Sequence, residues 1–308
     1  MAPLHEHLNH SGVYAGRMSL THPTISILTP TFNQAPYIGD AMASVRMQGF
    51  PSVEHIVADG ASTDGTVDLL QGFPDVRWDS RPDTGMSDAL NRAASMARGE
   101  IIGWLNSDDY YMPGCLWTVQ EYFARHPEAD VIHGDSLWVD SEGRLLEARS
   151  DHRMTWSTLL YWTCYVQSTT CFFRRSLLDR GLLHWDESTK YQMDRELFLR
   201  MAEAGVRFAY VPAVLAAFRW HGENASLQRS GSIAERVLIQ ARYSPRVAQS
   251  RVLRKASRGL FRSWHWVLKA QSGGFAVQRR WAGLAGQSTL WMRASQQLNE
   301  AVRDGSDE

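Results

Sequence analysis

The chain has 308 residues, 44% apolar and 21% charged, enough to bury a real core as one large or two small domains. Its three cysteines, Cys115, Cys164 and Cys171, form no Cys-x-x-Cys pair, which excludes a disulfide scaffold or cysteine zinc site and suits a reducing compartment. No apolar run reaches the roughly 18 residues of a membrane span, and the first twenty residues lack a signal peptide's charged start and apolar centre, so a cytoplasmic protein is expected. His5, His7 and His10 read as part of a frayed polar terminus rather than a metal site.

Thr24 to Pro30 is a β-branched, apolar run that predicts a first strand, followed by helical spacing over 36–48 and a second strand, Val53 to Ala58. Asp59-Gly60-Ala61-Ser62-Thr63-Asp64-Gly65-Thr66 follows that strand directly. A carboxylate there can accept from a base N–H or a ribose hydroxyl, or the segment is a plain strand–turn–helix connection capped by Asp64. A helix near 65–71, a strand near 76–78 and a helix near 86–97 come next. The last opens on Arg81 to Arg92, where Asp88 falls in the first turns and Arg81 is a candidate phosphate partner; Arg92 reads as surface charge.

Ile101-Ile102-Gly103-Trp104-Leu105 predicts a buried strand over 100–105, and Asn106-Ser107-Asp108-Asp109 follows it. Two adjacent carboxylates at such a strand end repel unless a cation joins them, and Mg²⁺ or Mn²⁺ held with substrate phosphates fits. An Asx turn with a helix N-cap is the plain alternative. Pro113 is placed to open a helix near 114–125, before a strand near 130–133. From 136 to 173 the pattern loosens into short strands and a Trp-rich stretch. Helix 193–204 carries Asp194 and Glu196 at its start; Asp194 is a candidate general base, or both acids simply favour the helix N-terminus. Two strand-like runs, Phe208 to Val211 and Val214 to Phe218, lead to Arg219-Trp220-His221. Alternation puts Arg219 and His221 on one face, suited to a diphosphate or a metal shell.

Strands alternating with helices imply βαβ units and a mainly parallel sheet, with its crevice at the strand carboxyl ends. Neither Gly-x-Gly-x-x-Gly nor a Walker lysine loop is present. The net charge of −1 hides an asymmetry: residues 236–299 hold ten Arg and two Lys without one Asp or Glu, whereas residues 1–235 hold 19 basic against 29 acidic residues. This tail reads as helices broken at Pro245 and at Gly273-Gly274. Its cations are interleaved with Val252, Leu253, Leu260, Phe261, Trp264 and Trp266, which suits an anionic membrane surface; a helical cap paired with the acidic region is the alternative.

In this order, Thr29-Pro30-Thr31-Phe32-Asn33, the Asp59 to Thr66 turn, Pro82 to Asn91, Leu105 to Pro113, Met193-Asp194-Arg195-Glu196-Leu197 and Arg219-x-His221 resemble inverting family 2 glycosyltransferases of the GT-A fold. The Pro82 to Asn91 piece looks especially like enzymes that build bacterial surface polysaccharides. The resemblance covers residues 24–226; with the compositional boundary near 235 it implies an N-terminal extension over 1–23, a GT-A-like catalytic domain over 24–235 and a basic helical extension over 236–308. It implies a nucleotide-diphosphate sugar donor, a glycan or lipid-linked acceptor, and Mn²⁺ or Mg²⁺. Phe32 and Asp59 would lie at the nucleotide base, Asp88 and Asp108 at ribose or sugar, and Arg81 and Arg219 at the diphosphate. Asp109 and His221 would hold the metal, and Asp194 would be the catalytic base. Two departures stand out: Met193 replaces the usual Glu before the base, and the Gln-x-x-Arg-Trp signature of processive synthases is absent, which implies one sugar per turnover.

Competing readings are weaker. A nucleotidyltransferase wants a Gly-rich basic loop where this chain has Thr31-Phe32-Asn33-Gln34, nucleic-acid binding rests on tail charge alone, and a non-catalytic carbohydrate- or nucleotide-binding protein has no use for both the acidic pair and Asp194.

Overall fold

A computed structural model of the chain describes residues 23–222, 224, 229–282 and 285–287. His5, His7 and His10, the expected extension up to 22, and the tail from 288 onward lie outside the described residues.

The first half alternates as its sequence pattern demands: β1 (Ile25–Thr31), α1 (Ile38–Arg46), β2 (Val53–Asp59), α2 (Thr66–Gln71), β3 (Val76–Ser80), α3 (Met86–Met96) and β4 (Ile101–Trp104). β1 pairs in parallel with both β2 and β4, and β2 with β3, giving the order β3-β2-β1-β4. The winding therefore reverses beside β1, and open α/β sheets bind ligands at the strand carboxyl ends of such a switch point. β1 is buried along its whole length because its two faces meet different layers. Ile25 and Ile27 join Ala41 and Val45 of α1, whereas Leu28 joins Leu90 and Ala93 of α3.

Past β4 the order changes. β5 (Tyr110–Tyr111), α4 (Cys115–Arg125), β6 (Val131–Val139), β7 (Leu145–Arg149), α5 (Trp156–Tyr161), β8 (Phe172–Arg174), α6 (Ser176–Asp179), α7 (Met193–Glu203) and β9 (Phe208–Arg219) follow. The sheet continues β4-β8-β6-β9-β5, with β7 on β6. β8 runs antiparallel to β4 and β6, β7 to β6 and β5 to β9; only β6 and β9 are parallel. The expectation of a mainly parallel sheet thus holds for the first half, and the whole is a mixed sheet flanked by helices. The antiparallel strands enter through loops and a hairpin, which need no crossover helix.

Two local expectations are corrected. Pro113 does not open α4: Gly114 follows it at φ 79°, a left-handed conformation, and the helix starts at Cys115. The two runs around Pro212 are one strand, β9, whose register shifts opposite Gly134, Asp135 and Ser136.

Four helices close the described chain: α8 (Arg229–Tyr243), α9 (Pro245–Gln249), α10 (Arg251–Gln271) and α11 (Gly274–Ala282). Two of their breaks fall at Pro245 and at Gly273-Gly274, as the sequence suggests; a third, at Ser250, separates α9 from α10. The compositional boundary at 235 lies inside α8. These helices pack on the body: Gln240 donates to the Leu160 carbonyl at 2.9 Å, and the Gly286 N–H donates to the Leu145 carbonyl of β7 at 2.8 Å. Among the described residues no helix is long and apolar enough to cross a membrane.

Candidate active site

The turn after β4 divides its two carboxylates. Asp109 is fully buried and accepts from Thr169 Oγ1, from Asn106 Nδ2 at 3.0 Å and from the Arg219 N–H at 2.9 Å. Burial, with Asp108 beside it, pushes its carboxyl up to about 8. Asp108 turns the other way, into a cavity of about 970 Å³. Its Oδ2 lies 3.0 Å from His221 Nε2, and that imidazole stacks on Tyr37 with ring centroids 4.8 Å apart. The sequence reading gave the metal to Asp109 and His221. In the structure Asp109 faces inward with both oxygens engaged; Asp108 is the carboxylate that lines the cavity, and His221 lies behind it, buried, with its Nε2 on Asp108. Among the described residues no group of three His, Cys, Asp or Glu gathers. An octahedral Mg²⁺ or Mn²⁺ that keeps water and substrate phosphates needs only one or two protein ligands, so the Asp108 carboxylate at the cavity fits.

At the carboxyl ends of β1 and β2 the nucleotide residues separate in the same way. Phe32 is 59% exposed and forms one wall of the cavity. Asp59 is completely buried and accepts from the Ser62 N–H at 2.9 Å and Ser80 Oγ at 2.6 Å. It shapes the turn and does not reach the cavity. The loops after β1 and β2 interlock: Asn33 N–H donates to Ser62 Oγ at 2.8 Å, and Ala35 N–H to Asp64 Oδ2 at 2.9 Å. Asn33 and Ala61 both hold positive φ, at 51° and 65°, strain of the kind that clusters where a loop must present a ligand surface. A Cβ on Gly60 would lie 2.9 Å from Asp83 Oδ2 and 3.2 Å from Phe32, so any side chain there would displace these two cavity-lining groups.

Asp88 accepts from the Thr84 N–H at 3.0 Å and so ties the loop before α3 instead of lining the cavity; Asp83, which the sequence reading passed over, lines it beside Phe32. Arg81 is exposed and pairs with Asp79 at 3.4 Å. Arg92, read as surface charge, is buried: its Nη2 donates to the Asp59 carbonyl at 2.7 Å and its Nη1 to the Arg81 carbonyl at 3.3 Å, bracing the ends of β2 and β3. Arg219 is also corrected. It is 2% exposed, its Nη2 donates to Asp40 at 2.7 Å, and its guanidinium lies over Tyr37, so it supports the site from behind.

Asp194, in the first turn of α7, faces the same cavity as Asp108. Burial raises its carboxyl above the usual range, with the Arg195 N–H and the Cys164 thiol opposing the shift. A raised carboxyl is better matched to taking a proton near neutrality. The loop before it is pinned from α8, where the Glu235 carboxylate accepts the N–H groups of Lys190, Tyr191 and Gln192 at 2.8, 2.7 and 2.9 Å. Met193 is buried, with its Sδ 3.7 Å from Ser87 Oγ.

The opposite wall escaped the sequence reading. Trp138 of β6 stacks on Trp220 with centroids 5.4 Å apart and packs on Phe218 at 4.8 Å. Phe218 and Trp220 thus face the cavity while Arg219 and His221 face away from them, the alternation the sequence predicts. Arg149 of β7 and His265, Trp266 and Lys269 of α10 complete that side.

Residues 26–182, just over half of the chain, match the Glycosyl transferase family 2 description. The chain belongs to this family. Chondroitin synthase of Escherichia coli is 26% identical over 219 residues, 67% of this chain and 30% of that protein. The putative teichuronic acid biosynthesis glycosyltransferase TuaG of Bacillus subtilis is 37% identical over 122 residues, 37% of this chain and 48% of that protein. The chain spans only 22–30% of the length of the chondroitin and hyaluronan synthases it matches. Among solved structures, S. aureus TarS 1–349 in complex with UDP-GlcNAc aligns over 92% of both chains with a TM-score of 0.56 at 17% identity. Mannosyltransferase PcManGT from Pyrobaculum calidifontis, in complex with GDP-Man and Mn²⁺, aligns over 91% of this chain and 88% of its own with a TM-score of 0.56 at 18% identity. These likenesses establish the GT-A fold for this family 2 glycosyltransferase.

Proposed function

We propose that this family 2 glycosyltransferase moves a single sugar from a nucleotide-diphosphate sugar to a glycan or lipid-linked acceptor in bacterial polysaccharide biosynthesis, inverting the anomeric carbon. One observation carries the reading: Asp108 and Asp194 face one cavity that is floored by the sheet's switch point. The nucleotide base rests against Phe32. Asp59, Asp88, Arg92 and Arg219 hold the surrounding loops and do not touch the donor. Asp108 would hold Mn²⁺ or Mg²⁺, oriented by His221 behind it, and the bound ion would neutralise charge on the leaving diphosphate. Asp194 accepts the acceptor hydroxyl's proton as that oxygen attacks. A non-catalytic binding protein has no need of a half-buried carboxylate with a raised pKa at this wall.

The described tail supports a peripheral location at an anionic membrane surface on the cytoplasmic side. Val252, Leu260, Trp264 and Val267 of α10 are exposed, and Arg242 is the one tail cation paired with a carboxylate among the described residues, at 3.2 Å from Glu196. A lipid-linked acceptor held at that surface would enter the cavity beside α10. The test is a thermal-shift screen of nucleotide sugars with and without Mn²⁺. Selective, metal-dependent stabilisation by one donor supports the reading, and indifference to every nucleotide sugar and nucleoside diphosphate overturns it.

A further inference from the structure

Lys269 occupies the last turn of α10 and lines the cavity, yet its side chain is buried, 5% exposed. Its Nζ lies 5.4 Å from the Trp266 ring centroid. Among the described residues it makes no ion pair within 4 Å; Asp151, Asp135 and Glu147 act on it only from farther off, against Arg149. Arg149, the nearby cation on β7, differs: it pairs with Glu147 and stacks on Trp138 with its guanidinium carbon 3.2 Å from the ring centroid. His265, one turn before Lys269, is committed too, with Nδ1 2.8 Å from His152 Nε2. Burial holds its imidazole down to about 3 and lowers the Lys269 ammonium as well.

A largely desolvated ammonium without a close partner is costly, and an anion entering the cavity beside it would offset that cost. The placement is rigid. Ser272 Oγ donates to the Asp151 carbonyl at 3.1 Å and Ser150 Oγ to the Gly274 carbonyl at 2.8 Å. A Cβ on Gly274 would sit 2.3 Å from Ser150 Oγ, so glycine lets α11 start against the end of β7. The Trp138, Phe218 and Trp220 panel lines the same cavity, a surface on which a sugar ring can stack.

We propose that Lys269 sets acceptor specificity by receiving an anionic group, phosphate or carboxylate, carried by the acceptor glycan. The inference rests on the transferase reading and adds the acceptor's charge to it. The transferred sugar joins a neutral hydroxyl, and Lys269 grips the charge elsewhere on the acceptor while the aromatic panel holds the ring.

Saturation-transfer NMR tests this on the full chain with Mn²⁺ replaced by Mg²⁺ and the donor subsite filled by nucleoside diphosphate. Methyl glucoside, glucuronate and glucose 1-phosphate serve as acceptor probes. The expected result is at least tenfold tighter binding of one anionic probe than of methyl glucoside, and which one it is separates a uronate from a phosphate source. Lys269→Met should abolish that preference, Lys269→Arg should retain it, and both should bind nucleoside diphosphate as the wild type does. Equal binding of the neutral probe, no probe binding, or an unchanged preference in Lys269→Met overturns the proposal. Failure of nucleoside diphosphate to bind would instead sink the transferase reading. Thermal melting gives a second check: Lys269→Met should raise Tm, because it removes an unpaired buried charge, and a lowered Tm would mean that the ammonium is satisfied within the protein.

Discussion

The two sides of the cavity are built on different terms. On the β3-β2-β1-β4 side nearly every charge is answered from within: Asp59 by Ser62 and Ser80, Asp88 by Thr84, Arg92 by backbone carbonyls, and Arg219 by Asp40. On the β6-β7-α10 side, Lys269 has no ion-pair partner among the described residues, and buried His133 has Asp151 only at 3.8 Å. The first side is a preorganised cradle, and the second presents an aromatic panel and cations to the cavity.

The largest expected effect falls between the two sides, at Asp194. Asp194→Asn keeps the shape and removes the base, so kcat should fall by about 10²–10⁴-fold while nucleoside diphosphate affinity stays within a few-fold. A parallel loss of nucleotide affinity would make Asp194 part of the cradle and erase the distinction.

Within the cradle, the adjacent carboxylates should respond oppositely. Asp108→Ala should leave Tm nearly unchanged and abolish Mn²⁺-dependent nucleotide binding. Asp109→Ala strands three donors in the interior, and should destabilise the fold by about 3 kcal/mol. Metal-dependent binding that survives Asp108→Ala but not a folded Asp109→Ala would restore the metal to Asp109.

Acid should weaken the cradle through His55, which is buried with its Nε2 2.8 Å from Thr29 Oγ1. Burial lowers this imidazole from 6.5 to about 4, with Asp75 opposing the shift. Between those values the unfolded chain binds the extra proton, so stability is complete above pH 6.5 and is lost as pH falls towards 4. The full loss is on the order of 3 kcal/mol by linkage. Chemical denaturation across this range should show the slope in the wild type and a shallower one in His55→Gln.

The smallest effect is expected on the outer face of α10. Leu260→Ser with Trp264→Ser removes apolar surface that is 65% and 46% exposed, so Tm should hardly move. Flotation with anionic vesicles at low salt should drop severalfold and should already be weak with neutral lipid. Wild-type indifference to anionic vesicles would leave this face to another partner. Truncation at 235 is a poorer test, because it cuts α8 beside the Glu235 carboxylate that anchors the loop before Asp194.

The cradle was legible because local patterning and tertiary role coincide there. Seven consecutive buried residues in β1 and a helix period in α3 announce themselves over short windows, and the Asp59 to Thr66 and Asn106 to Asp109 turns sit where the strands end. Which carboxylate of the pair faces the cavity was not legible. Asp108 and Asp109 are neighbours with the same chemistry, and the choice depends on Thr169 and the Arg219 N–H, which are 60 and 110 positions away. Arg92 and Arg219 were misjudged for a related reason. A long cationic side chain looks solvent-bound until the carbonyls or carboxylate that receive it are brought alongside.

The order of strands and helices, the strand-end placement of the acidic turns, the breaks at Pro245 and Gly273 and the charge contrast between body and tail follow from sequence, because each depends on contacts within a few residues or on composition alone. The mixed sheet beyond β4, the burial of Asp109, the aromatic panel of Trp138, Phe218 and Trp220, and the arrival of Lys269 at the cavity were decided by tertiary structure. Each requires segments far apart in the chain to share one low-dielectric space, and there the cost of an unpaired charge selects which way a side chain turns.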